Sequence, residues 1–103
     1  MNKKKNLSTK EIFSLAVQNH QKNNLKTAED LYKRILKANP NHFESIFLLG
    51  TLSITIKNFD RAIQFLDQAI SIKPNHAQSH SNLGAVFNEL GEVQKAISCY
   101  EKA

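Results

Sequence analysis

The sequence has no tryptophan, a single cysteine, two prolines and three glycines in 103 residues. A lone Cys99 can form neither an internal disulfide nor a cysteine-based zinc site, so apolar burial has to supply the stability. So few prolines and glycines do not furnish the turns of an all-β chain. No long hydrophobic run is present either. The longest apolar stretch, Ile46 to Ile56, is interrupted by Gly, Ser and Thr and falls short of the ~20 residues that span a bilayer. After the basic N-terminus, Asn6-Leu7-Ser8-Thr9-Lys10-Glu11 stands where a signal peptide needs an apolar segment of about 7–15 residues. These absences lead to the expectation of a soluble, cytoplasmic chain with no membrane partner.

With 41% hydrophobic and 22% charged residues, the length fits one small domain or a short repeat array. A chain of this size can remove roughly two-thirds of its unfolded surface from water without a disulfide or metal. Fourteen Lys and Arg against nine Asp and Glu give a net charge of +5. Three of those charges are Lys3, Lys4 and Lys5, and without them the rest carries +2. Residues 1–8 therefore read as a disordered basic leader on a nearly balanced body. Nucleic acid is accordingly not the expected partner.

Shifting the sequence by 34 residues places Asn39-Pro40-Asn41-His42 on Lys73-Pro74-Asn75-His76 and Leu49-Gly50 on Leu83-Gly84. The same shift aligns Ala28, Ala62 and Ala96. The period divides the chain into units 9–42, 43–76 and a shortened 77–103. Within a unit the apolar residues recur at helical spacing: Ile12, Leu15 and Ala16, then Leu25, Ala28, Leu31, Tyr32, Ile35 and Leu36. Each unit thus reads as a helical hairpin, with helices at about 9–22, 25–38, 43–56, 59–72, 77–90 and 93–103. Ser8 with Glu11 forms a capping box, and Asn41 with Glu44 and Asn75 with Gln78 are expected to repeat it. Pro40 and Pro74 separate the units. Asn23, Lys57 and Gly91 share the slot between paired helices, where Lys57 is strained if the backbone is left-handed.

Small residues explain how the hairpins close. Ala16, Gly50 and Gly84 at the eighth position are expected to face Ala28, Ala62 and Ala96 at the twentieth. Tyr32, Leu66 and Tyr100 at the twenty-fourth are large enough to reach the next hairpin, because one hairpin alone cannot bury its apolar faces.

The period, with Asn82-Leu83-Gly84, Phe87, Gly91, Ala96, Tyr100 and Ala103, resembles the tetratricopeptide repeat over residues 9–103. The resemblance implies an all-α, right-handed superhelix whose first helices line a concave groove for a peptide or partner helix. By that resemblance the groove is lined by Phe13 and Val17, then Phe47, Leu48, Thr51 and Ile54, then Asn82 and Asn88. The apolar members form a floor for a partner's side chains, and the two asparagines offer hydrogen bonds to a peptide backbone. A second reading stays open for Phe47, Leu48 and Ile54: core of an all-round apolar helix, covered by neighbouring helices or another copy.

The carboxylate clamp of some family members finds Phe13, Val17, Leu48, Gln78 and Asn82 in place of its charged fork, so an acidic tail has nothing to grip. A weaker similarity links Asn82-Leu83-Gly84-Ala85-Val86-Phe87 to the repeat arrays of O-GlcNAc transferase-like proteins. Their asparagine ladder survives here only at Asn82, with Ser14 and Leu48 at the equivalent positions. His76 and His80 are four apart but no third metal ligand or H-E-x-x-H pattern accompanies them, and Cys99 reads as a packing residue. No catalytic residue, cofactor, metal or small-molecule substrate is expected. The array reads as cut short at Ala103, leaving Val86, Ile97 and Tyr100 for further repeats or for self-association. The expected function is a protein-binding scaffold, with a targeting arm of a larger glycosyltransferase or sulfotransferase as the alternative.

Replacing Ala62 by Leu is expected to destabilise the fold by about 1–3 kcal/mol through overpacking. An unchanged melting temperature would contradict the repeat register.

Overall fold

The computed structural model describes residues 7–103. The basic run Lys3–Lys5, and with it most of the expected leader, lies outside the described residues. Six helices follow one another: α1 (Thr9–Gln21), α2 (Leu25–Ala38), α3 (Phe43–Thr55), α4 (Phe59–Ile72), α5 (Ala77–Glu89) and α6 (Val93–Lys102). Each lies within a residue of its expected boundary. Substantial contact runs only between successive helices and between α3 and α5. In a closed bundle the first and last helices would touch; here antiparallel hairpins stack side by side as an all-α solenoid.

The turns have local causes. At the end of each inner helix the chain closes a Schellman motif. Asn58 N–H donates to the Ser53 carbonyl at 2.8 Å and Lys57 N–H to the Ile54 carbonyl at 2.9 Å; the same pair of bonds recurs at Asn23–Asn24 and Gly91–Glu92. The motif requires a left-handed residue, and Asn23 (φ 66°), Lys57 (φ 63°) and Gly91 (φ 77°) supply it. The strain foreseen for Lys57 is therefore present, since its Cβ crowds the following carbonyl.

Between hairpins the expected asparagine caps are displaced by one residue. His42 N–H bonds the Asn39 carbonyl and His76 N–H the Lys73 carbonyl, both at 3.1 Å, which closes a proline-initiated turn around Asn41 and Asn75. The histidine leaves the turn with extended backbone and becomes the N-cap. Its Nδ1 accepts from Ser45 N–H at 3.2 Å in α3 and from Ser79 N–H at 3.1 Å in α5. The proton must then reside on Nε2. At α1 the capping box forms as expected, with Ser8 N–H donating to Glu11 at 2.9 Å and Glu11 N–H to Ser8 Oγ at 3.1 Å.

Packing follows the repeat. The space beside Gly50 is taken by Leu66, whose Cδ2 lies 3.0 Å from where a Cβ would stand. Beside Gly84 the Tyr100 ring stands at 2.8 Å. The small eighth position thus admits the large twenty-fourth side chain of its own hairpin, which comes closer than the alanine expected there. That side chain also reaches forward: Tyr32 packs with Leu49 and Leu52, and Leu66 with Leu83 and Val86. On the outer face, Arg61 of α4 meets Glu29 of α2 at 2.9 Å and ties the first two hairpins together. Lys33 and then Arg61 hold the Glu29 carboxyl below the usual carboxylate range, against the opposing effect of burial.

Substituting Lys57→Gly should raise stability by about 1 kcal/mol by relieving the left-handed conformation. Gly91→Ala should cost a similar amount although no atom lies within 4 Å of the new methyl. Urea midpoints that moved the other way would show that the turn is not held by backbone conformation.

Candidate protein-binding groove

The residues expected to line the groove lie on the inner helices α1, α3 and α5. Phe13, Val17, Phe47, Leu48, Thr51, Ile54 and Asn82 are half-buried and Asn88 is exposed. Half-burial has a physical reason. Seven of the thirteen residues of α3 are buried, because this helix is clasped by α2 and α4 and meets α5. Its remaining apolar side chains lean on the core while keeping one side open. Phe13 and Leu48 pack against the cluster around Tyr32, and Phe47 and Ile54 against the cluster around Leu66. These residues thus contribute to the core in part, and each keeps one side exposed.

A recurring aromatic contact sets the floor. The Phe13 ring lies 5.4 Å from His42, and the Phe47 ring 5.0 Å from His76 in an edge-on arrangement. Phe47 also stacks on Phe43 at 6.1 Å. The imidazole that caps an inner helix therefore buttresses the floor aromatic of the preceding hairpin. The sequence carried this signal in the 34-residue match of His42 to His76, but the adjacent asparagines drew the cap assignment.

At the open end of α1, His20 Nδ1 lies 2.9 Å from the Tyr32 hydroxyl. Burial lowers the His20 pKa from its ordinary value and raises that of Tyr32 to about 12. At the start of α5 the two histidines are each engaged locally. His76 caps the helix and lies 2.8 Å from Ser79 Oγ, while His80 Nε2 donates to the Pro74 carbonyl at 2.7 Å. Among the described residues no group of three or more His, Cys, Asp or Glu side chains is placed to hold a metal. Burial pushes the Cys99 thiol up, which disfavours the thiolate a nucleophile needs. No helix of the described residues is long and apolar enough to cross a membrane.

Sequence reasoning missed one feature. Between the second and third hairpins lies a cleft of about 380 Å³ walled by Ile54, Phe59, Ala85, Val86 and Tyr100, with Lys57, Asn88 and Glu89 also lining it. Phe59 and Tyr100 belong to outer helices and come to the cleft only through packing, so the register of the inner helices gave no sign of them.

Over residues 21–103 the chain matches the family described as anaphase-promoting complex, cyclosome, subunit 3. It is 29% identical over 87 residues to a UDP-N-acetylglucosamine–peptide N-acetylglucosaminyltransferase of Caenorhabditis elegans, covering 84% of this chain and 8% of that protein. It is 35% identical over 83 residues to a probable enzyme of the same kind, SPINDLY, from Hordeum vulgare, covering 74% and 9%. It is 33% identical over 78 residues to the BBSome complex member BBS4 of Bos taurus, covering 76% and 15%. The chain thus spans only a small part of the curated relatives it matches. Among solved structures, MamA superposes with a TM-score of 0.88 at 22% identity over 92% of this chain and 56% of that one. MamA from Desulfovibrio magneticus RS-1 gives 0.86 at 20% identity, over 92% and 54%. These likenesses concern the fold.

Because the folded chain keeps His20 neutral more readily than the unfolded chain does, protons favour unfolding below about pH 6.5. The melting temperature should fall as the pH drops through this value toward the lower folded-state pKa. His20→Gln should flatten that dependence, and an identical profile in the variant would refute the assignment.

Proposed function

The chain belongs to the anaphase-promoting complex subunit 3 family of tetratricopeptide-repeat solenoids, and on that footing we propose that it is a cytoplasmic scaffold holding a segment of another protein in its groove. The scaffold divides in this reading into units 9–42, 43–76 and 77–103. The observation that carries the reading is the half-burial of Phe13 and Val17 on α1 and of Phe47, Leu48 and Ile54 on α3. Such side chains are already ordered by the core, so a partner gains apolar burial without the cost of immobilising them. Thr51, Asn82 and Asn88 supply polar groups for the backbone or side chains of a bound segment. Of the residues expected to stay uncovered, Val86 is instead fully buried, whereas Ile97 and Tyr100, with Val93 beside them on α6, are about half exposed, at 46%, 46% and 53%, and support self-association through that face.

A second reading draws on the 29–35% identity to peptide N-acetylglucosaminyltransferases. There the same groove is the arm that brings a protein to a linked transferase domain. A reading frame encoding such a domain beside these repeats would decide for it; a frame without one would decide against it.

Capture of partners from a lysate tests the common core of both readings. Thr51→Glu with Asn88→Glu should lose prey retained by the wild type and by the outer-face variant Lys37→Glu, with all three equally helical by circular dichroism. Loss with Lys37→Glu alone would place binding on the opposite face.

A further inference from the structure

We infer that the cleft between the second and third hairpins receives an apolar side chain of the partner segment and that Glu89 beside it pairs with a lysine or arginine of that segment. This rests on the groove reading above and narrows it to a class of ligand. The chain carries a net charge of +5, yet α3 and α5 contain no lysine or arginine, and their only formal charges are Glu44 and Glu89. Of the fourteen basic residues half lie on the outer helices, as with Lys26, Lys33, Arg34 and Lys37 of α2 and Lys95 and Lys102 of α6, and the rest lie in the leader, on α1 and in the turns. The part of the inner surface formed by α3 and α5 thus carries carboxylates and no cation, whereas α1 carries Lys10.

At the cleft the two aspects coincide. Ile54, Phe59, Ala85, Val86 and Tyr100 form its apolar wall, and Glu89 lines the same opening. Glu89 is exposed and makes no ion pair among the described residues, unlike Glu29, Asp30 and Glu92. The cation on this wall, Lys57, projects from the left-handed turn after α3 and is likewise without an ion pair among the described residues. It is separable from Glu89 by mutation, which makes the sign of the preferred ligand an experimental question. Tyr100 adds a further element, because its ring lies over Gly84 and half of its surface stays open, at 46% exposure. A partner's cation near Glu89 can also meet an aromatic face.

Short fluorescein-labelled peptides sharing a central leucine–phenylalanine pair, flanked by lysines, by glutamines or by glutamates, test this by anisotropy with the full chain. The lysine-flanked peptide should bind about threefold tighter than the glutamine-flanked one at low salt, and the margin should vanish at high salt. Glu89→Gln should abolish that margin and Glu89→Lys reverse it, while Lys57→Gly should preserve or widen it. Ala85→Trp, on an exposed position, should fill the cleft and weaken all three peptides about tenfold. Tightest binding of the glutamate-flanked peptide, or a lysine preference that survives Glu89→Gln, would overturn the charge assignment. Peptides that bind but ignore Ala85→Trp would overturn the cleft while leaving the groove reading intact. Failure of every peptide to bind would also overturn this inference, and the groove reading would then stand or fall on prey capture by the Thr51→Glu, Asn88→Glu variant.

Discussion

The solenoid depends on one contact made twice. A large residue at the twenty-fourth position of a hairpin lies against the small eighth position of its own inner helix and reaches the inner helix of the next hairpin. Tyr32 and Leu66 are completely buried in this way, against Leu49 with Leu52 and against Leu83 with Val86. An isolated hairpin would leave these faces in water, and the cost of that exposure makes stacking obligatory. Tyr100 makes the first half of the contact, over Gly84, and is half exposed because no described helix supplies the second.

Stacking of this kind places α3 against α5, and the surface proposed as the groove is its consequence. Residues that face neither their own hairpin nor the next are left on the inner surface. The histidine caps refine that surface. By ending the proline turn, His42 and His76 fix where α3 and α5 begin, and through ring contacts they support Phe13 and Phe47. The Lys73 ammonium, 4.3 Å from the Phe43 ring centre, fastens the same corner from the other side. Cap, turn and groove floor are therefore one structural unit, repeated at each junction between hairpins.

The helix on which each candidate residue stands was legible because the repeat converts sequence position into place. Once the period was read, Phe13, Phe47 and Leu48 could be assigned to an inner face. Their half-burial was not legible, since it depends on how closely the neighbouring helices clasp α1 and α3. The cleft was invisible for the same kind of reason: Phe59 and Tyr100 reach it from outer helices, and Lys57 from a turn. The cap at His42 was misassigned because local capping preference favours asparagine, while the turn closed by the bond to Asn39 moved the helix start one residue on.

Periodicity, cap residues and the placing of small and large side chains are local properties, and they determined the number of helices, their boundaries and their pairing. Lys57 illustrates the strength of that pattern, since the turn keeps its left-handed form even with an unfavourable residue. Which side chains remain half open, where the cleft falls and which carboxylate stands beside it were decided only by tertiary structure. Those features depend on distances between helices that share no stretch of chain, and such distances are set by the joint packing of side chains from several hairpins at once.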